Sequence, residues 1–293
     1  MNAMIRVSTN QFYARSTTQM GALSAAAVTL EGQIASGKRL TAPSDDAPAY
    51  RYLAGLKQAG ADDVGAKANI ALAQSVLSQT DTTLGAIEEQ LQRASELAIQ
   101  AGSETLSPEN RKAIGASVQA ILDDVLALAN TRDIRGQAIF GGGGDEAFIR
   151  DATGAIVYAG GTGGAAIPIG NGSDVQVSEA GDRALGDALA ALTAMTTALG
   201  EGEVPEGAGE AIAGALDAVS ATRASVGARG FRLDIEMGRL ADVKLDRETT
   251  RSGIEDIDVS AAIIELQKTM TVLQAAQGSF TKLSGLSLFD YLR

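Results

Sequence analysis

The sequence predicts a mainly α protein with a small β-rich insertion. Its architecture is a long antiparallel helical bundle or coiled coil formed by the N- and C-terminal segments, with a β tip at the far end. Three observations predict it. Apolar residues recur three and four apart over most of the chain, the spacing of one helical face. A glycine-rich stretch beginning near Gly136 breaks that pattern with short β-type runs. Both chain ends carry one narrow apolar stripe with nothing nearby in sequence to cover it, so each needs a partner helix and the obvious partners are each other.

The first amphipathic segment runs from about Thr9 to Ser36, with Tyr13, Met20, Leu23, Ala27, Leu30 and Ile34 on one face. "SGKRLTAPSDDAP" (Ser36–Pro48) then breaks it. Gly37 can close a helix, Pro43 stops it, and Ser44, Asp45 and Asp46 offer turn and N-cap oxygens. Pro48 suits the first turn of a short helix through about Gly60. A long helix follows, with Ile70, Ala73, Leu77, Thr80, Leu84, Ile87, Leu91, Ala94, Ala98 and Ala101 in one unbroken row. In "TLSPEN", Ser107 is the expected N-cap and Pro108 the first residue of the next helix. Ile114, Val118, Ile121, Val125 and Leu128 carry its stripe, and the short link predicts antiparallel neighbours.

In the glycine-rich stretch, strands are expected near Ala147–Arg150, Ala155–Tyr158, Ala165–Ile169 and Asp174–Val177, with "DATG" and "GNGSD" as turns. An Ala-rich helix then reaches Leu199, and a polar break leads to a long helix faced by Leu216, Val219, Val226, Leu233, Met237 and Leu240. After "SGIEDID" the final helix carries Val259, Ile263, Leu266, Met270, Leu273 and Phe280, and runs into the apolar ending "LSLFDYLR". The chain thus divides into segments 1–60, 61–137, 138–182, 183–251 and 252–293.

Composition removes several function classes. The 293 residues include no Cys, His or Trp. Disulfides, Cys/His metal sites, thiol nucleophiles and His-based acid–base catalysis are therefore excluded. A net charge of −12 makes nucleic acid a poor partner. No run of apolar residues is long enough to insert into a membrane. Arg6 and Arg15 precede "GALSAAAVTL", but the alanine-based core and a pattern that continues to Ile34 argue against a cleaved signal. Translation could start at Met1 or Met4.

Several motifs invite a chemical reading. Ser279–Lys282 spells S-x-x-K, but S-D-N and K-T-G are missing and Phe280 fits the helical stripe. "GGGGDE" and "GGTGGAA" lack the G-K-[ST] of a phosphate loop and read as connectors and hairpin turns. Asp45-Asp46, Asp62-Asp63 and Asp123-Asp124 lack EF-hand spacing and read as caps or solvated faces. No convergent set supports an enzyme. An adhesin holding a glycan near Phe148 and Tyr158 is the rival from another class.

Four stretches carry a resemblance: "IRVSTNQFYARS" (Ile5–Ser16), "SGKRLTAPSDDAPAY" (Ser36–Tyr50), "LANTRDIRGQAIFGG" (Leu128–Gly142) and the whole of Ser252–Arg293. In this order they resemble the bacterial flagellin superfamily, most closely its hook–filament junction branch, because of the Phe-Tyr pair near the start and the "LSLFDYL" ending. A short filament flagellin is the alternative. The resemblance implies a non-enzymatic, self-assembling flagellar subunit that joins hook to filament and needs no cofactor. It implies type III export to the cell exterior without a cleaved signal. The implied partners are copies of itself, a neighbouring hook-associated protein, flagellin, and a cytosolic export chaperone on the C-terminal segment. The expected subunit contacts are Val7, Phe12, Tyr13, Met20, Leu23, Leu30 and Ile34 at one end. Ile263, Leu266, Met270, Leu273, Phe280, Leu286, Leu288, Phe289 and Leu292 serve at the other, where the chaperone would also bind. Ser44, Asp45 and Asp46 form a loop contact. The terminal segments are expected to be largely disordered in the free monomer. "LQRASELAIQAG" (Leu91–Gly102) resembles the flagellin segment read by innate immune receptors, with Arg93, Glu96 and Leu97 as matching positions.

Overall fold

The computed structural model describes residues 2–152, 154–162, 164 and 166–291, with side-chain surroundings for those between 11 and 282. Its helices are α1 (Asn2–Ser36), α2 (Ala47–Ala101), α3 (Pro108–Ala129), α4 (Gly181–Glu201), α5 (Ala208–Glu255) and α6 (Val259–Tyr291). Four short strands lie between α3 and α4: β1 (Phe148–Arg150), β2 (Ile156–Tyr158), β3 (Ala166–Gly170) and β4 (Ser173–Gln176). The chain is mainly α with a small β element, as its periodicity predicts. It divides into one unit of residues 1–60 and 244–293 and a second of residues 61–243.

Two helix bounds differ from expectation. α1 starts at Asn2, ahead of Thr9. The short helix ending near Gly60 and the long helix from Ile70 are one helix, α2. Glycine lowers helix propensity by about 1 kcal/mol but does not break a helix whose neighbours pack well. Gly60 has company there, since a Cβ at this position would meet the side chain of Arg247 at 4.0 Å.

The core of the second unit is a helical bundle. Every residue of the row Ile70–Ala101 is buried, together with Val118 and Val125 of α3, Leu185 and Leu192 of α4, and Val219, Val226 and Leu233 of α5. The buried Thr80 hydroxyl donates to the Val76 carbonyl at 2.8 Å, so it costs the core no unpaired group. α2 and α5 run antiparallel. Gln74 donates to Asp234 at 2.7 Å, while further along Arg223 reaches Asp81 and Glu88, each at 2.8 Å. α3 starts as its sequence predicts, with Ser107 accepting from the Asn110 amide at 3.3 Å and proline in the first turn. α3 and α4 approach so closely at Gly115 that a Cβ there would sit 2.9 Å from Leu199 Cβ.

The four strands form two antiparallel hairpins, with Phe148 opposite Tyr158 and Ile167 opposite Val175. The second hairpin turns at Asn171 and Gly172, both with positive φ. Asn130, capping α3, anchors the first hairpin. Its side-chain oxygen accepts from the Ala147 and Phe148 amides, and its nitrogen donates to the Phe148 carbonyl. Within the bundle, the insertion lies beside α2 near Ala66–Gln79. Asn69 donates to the Pro168 carbonyl and Gln79 to the Arg132 carbonyl. α3 is 22 residues long against 55 in α2. Running back from the turn at 102–107, it therefore delivers the chain beside the middle of α2. That turn and its counterpart at 202–207 close the other end of the bundle.

Candidate subunit interface

α1 and α6 pair antiparallel in the terminal unit. The Tyr13 and Phe280 rings meet edge to face at 5.3 Å, and Phe12 meets Tyr13 edge to face at 6.1 Å. The α1 side of the seam matches its sequence stripe: Tyr13, Met20, Leu23, Leu30 and Ile34 are half-buried and Ala27 is buried. The α6 side has a different phase. Leu266, Leu273 and Phe280 face α1 as expected, but the positions between them are Ala262, Thr269 and Ala276, not Ile263 and Met270. Small residues let the backbones approach, and the larger neighbours are turned to the flank.

Two helices cannot enclose a core, and the flanks show it. Ile263 and Met270 are each 41% exposed, Ile264 66%, Val272 47% and Phe12 44%. A groove of about 590 Å³ runs between the helices, lined on one side by Phe12, Met20 and Leu23 and on the other by Val272, Ala276 and Phe280. Ser279 also lines it, so the serine of the S-x-x-K motif belongs to this groove. The periodic stripe did not reveal Ile264 or Val272. Their signal was apolar residues off the stripe, on more than one side of the same helix. The side chains of Val7, Leu286, Leu288, Phe289 and Leu292 lie outside the described residues.

At its other end the pair is held by a clasp between the α1–α2 loop and the α5–α6 junction. Gly37, at φ +70°, turns the chain out of α1. The Arg39 amide donates to the Glu255 carbonyl at 2.7 Å and the Ile257 amide to the Gly37 carbonyl at 3.1 Å. The buried Glu255 carboxylate accepts from Lys38 Nζ at 2.6 Å and Arg251 Nη1 at 2.8 Å. The Lys38 ammonium, helped by Arg251, holds this carboxyl below its usual range against the cost of burial. Sequence gave no sign of this clasp, whose partners are 217 residues apart.

The loop residues fold onto their own backbone. Asp45 accepts from the Ala42 and Thr41 amides, which keep its carboxyl below the usual range. Asp46 caps α2 through the Ala49 amide, and Ser44 is exposed. Elsewhere, Asp123 accepts from Gln119 and Arg150. Phe148 is buried and packs edge to face on Tyr158, whose hydroxyl donates to the Gly161 carbonyl at 2.8 Å. Both rings brace the insertion from within. Among the described residues, no helix is long and apolar enough to cross a membrane.

Flagellar hook-associated protein 3 of Salmonella typhimurium is 29% identical over 99% of this chain and 100% of its own length. A flagellin of Listeria innocua is 24% identical over 83% of each chain. The solved structure of a putative flagellar hook-associated protein from Vibrio parahaemolyticus superimposes with a TM-score of 0.67 at 20% identity. It covers 72% of this chain and 100% of the other. Residues 7–144 match the bacterial flagellin N-terminal helical region and residues 210–292 the C-terminal helical region. With both halves matched, in order and flanking the β insertion, the chain belongs to the bacterial flagellin family.

Proposed function

We propose that this protein is a structural, non-enzymatic subunit of the flagellum, joining hook to filament by self-assembly. The observation that carries the proposal is the open apolar flank of the α1–α6 pair, which two helices alone leave half-exposed. Apolar surface of this extent on a helix pair marks a contact to be completed by other molecules. The end-to-end match to a hook-associated protein supports the junction over the filament role.

In this reading Phe12, Ile263 and Met270 meet neighbouring copies directly, while Tyr13, Met20, Leu23, Leu30, Ile34, Leu266, Leu273 and Phe280 build the seam. The apolar residues Val7, Leu286, Leu288, Phe289 and Leu292 also serve as contacts with neighbouring copies, and Ser44, Asp45 and Asp46 contact an adjacent subunit. Flagellin and a second hook-associated protein lie above and below. The subunit is exported to the cell exterior, with a cytosolic chaperone covering the C-terminal segment beforehand. In the free monomer the thin pair is largely disordered, because its burial offsets little of the ordering entropy.

Deleting the gene tests the assignment. Motility should be lost and filament protein should appear in the medium. Normal swimming with attached filaments would remove the junction role. Long filaments formed by the purified protein alone, seen by electron microscopy, would favour a short flagellin.

A further inference from the structure

The α1–α6 seam is degenerate. Counting from the Tyr13–Phe280 contact, Met20 comes opposite Leu273 and Ala27 opposite Leu266. Sliding α6 by one heptad would set Met20 against Phe280, Ala27 against Leu273 and Ile34 against Leu266. Each of these three pairs would still be apolar, because a seven-residue repeat matches itself after a seven-residue slip. Among the described residues the seam buries no charge, and its one buried polar side chain, Thr269, makes no hydrogen bond across it that would penalise the slip. A buried charge or a cross-paired polar residue is the usual device for fixing register in a coiled coil.

The clasp has the directional contacts that the seam lacks. Two backbone hydrogen bonds and a Lys38–Glu255–Arg251 ion triad tie Gly37–Arg39 to Glu255–Ile257. Arg39 Nη2 adds a bond to the Ile254 carbonyl at 3.0 Å, and the Gln33 side chain ties the last turn of α1 to the Arg39 carbonyl at 2.8 Å. Tyr13 precedes Gly37 by almost as many residues as Phe280 follows Ile257, so the native register is the one in which both helices leave the clasp in step.

We propose that the clasp, and not the apolar seam, sets the register of the terminal helix pair. Register decides which flank residues line up across the groove, so the clasp determines the surface offered to neighbouring copies.

The cysteine-free chain makes this testable by disulfide trapping, which captures the paired state even where it is a minority. Ser16→Cys with Ala276→Cys reports the native register, and Leu23→Cys with Ala276→Cys reports a one-heptad slip. A disulfide needs Cα atoms within about 7 Å, and seven residues displace a helix position by about 10 Å, so each pair reads one register. In the full-length chain only the native link should form. With Glu255→Ala, or with Gly37→Val, which strains the positive φ without meeting any side chain, the slipped link should rise to a yield comparable with the native one. Retention of the native link alone in either variant would overturn the proposal. So would loss of both links, which would make the clasp an adhesive rather than a register device. Far-UV circular dichroism confirms that the bundle of residues 61–243 remains folded in each variant.

Discussion

Phe12→Ala separates assembly from folding. A Phe side chain presents about 150–250 Å². With 44% of Phe12 exposed, roughly 90 Å² remains for a neighbouring molecule to cover. At about 25 cal/mol per Å², its loss weakens each intersubunit contact by about 2 kcal/mol, or roughly 30-fold in association. The bundle of residues 61–243 does not include Phe12, so its denaturant midpoint should not move. Sedimentation velocity across a concentration series measures the first quantity and urea unfolding followed by circular dichroism the second. Unchanged association, or a shifted bundle midpoint, would refute the view that Phe12 is exposed for a neighbour's use.

Gly115→Ala should cost the bundle a net 1–2 kcal/mol, roughly, because overpacking against Leu199 outweighs the gain in helix propensity. A neutral or stabilising result in urea unfolding would contradict the close α3–α4 approach. Asp133→Ala should cost about 2–4 kcal/mol, since the buried carboxylate accepts from the Arg135 and Gln137 amides and from the Arg135 guanidinium. Hydrogen exchange confined to residues 131–138 reads the effect, and unaltered protection there would contradict it. Burial pushes the Asp133 carboxyl up, but Arg135 and the two amides outweigh it and leave it low. Glu255 also has a depressed folded pKa. Its stabilisation is therefore present above the unfolded carboxylate value of about 4.3 and is lost as pH falls through the folded value. The stability advantage over Glu255→Gln should be full at neutral pH and vanish in acid; an advantage independent of pH would show that the Lys38 pair contributes nothing. Finally, a chain lacking residues 1–36 and 256–293 should show more helix per residue than the dilute full-length monomer, whose disordered ends dilute the signal. Proportionately more helix in the full-length chain would mean the ends are ordered without neighbours.

Where a helix face is buried on one side only, its periodicity was a faithful guide. The row Ile70–Ala101 is buried throughout because α2 meets its neighbours along a single stripe. The strands of the insertion also fall within a residue or two of their sequence signals, since glycine-rich turns fix hairpins locally. α6 was harder. Its apolar residues occupy several sides, so spacing alone could not tell the seam from the flank, and Ala262, Thr269 and Ala276 took the inner places. The position of the insertion depended on relative helix lengths, which no local motif encodes. The clasp depended on Lys38 and Glu255 meeting across most of the chain, and single-sequence patterns carry no information about such pairs.

Asn130 has a practical consequence. One amide side chain fastens the first hairpin to the end of α3, and it does so entirely at Ala147 and Phe148. The turn between Asp151 and Ala155 closes on its own backbone bonds, with Gly154 at φ +85°. A foreign peptide spliced into that turn would thus be displayed on a fixed mount, leaving the helices of the bundle undisturbed.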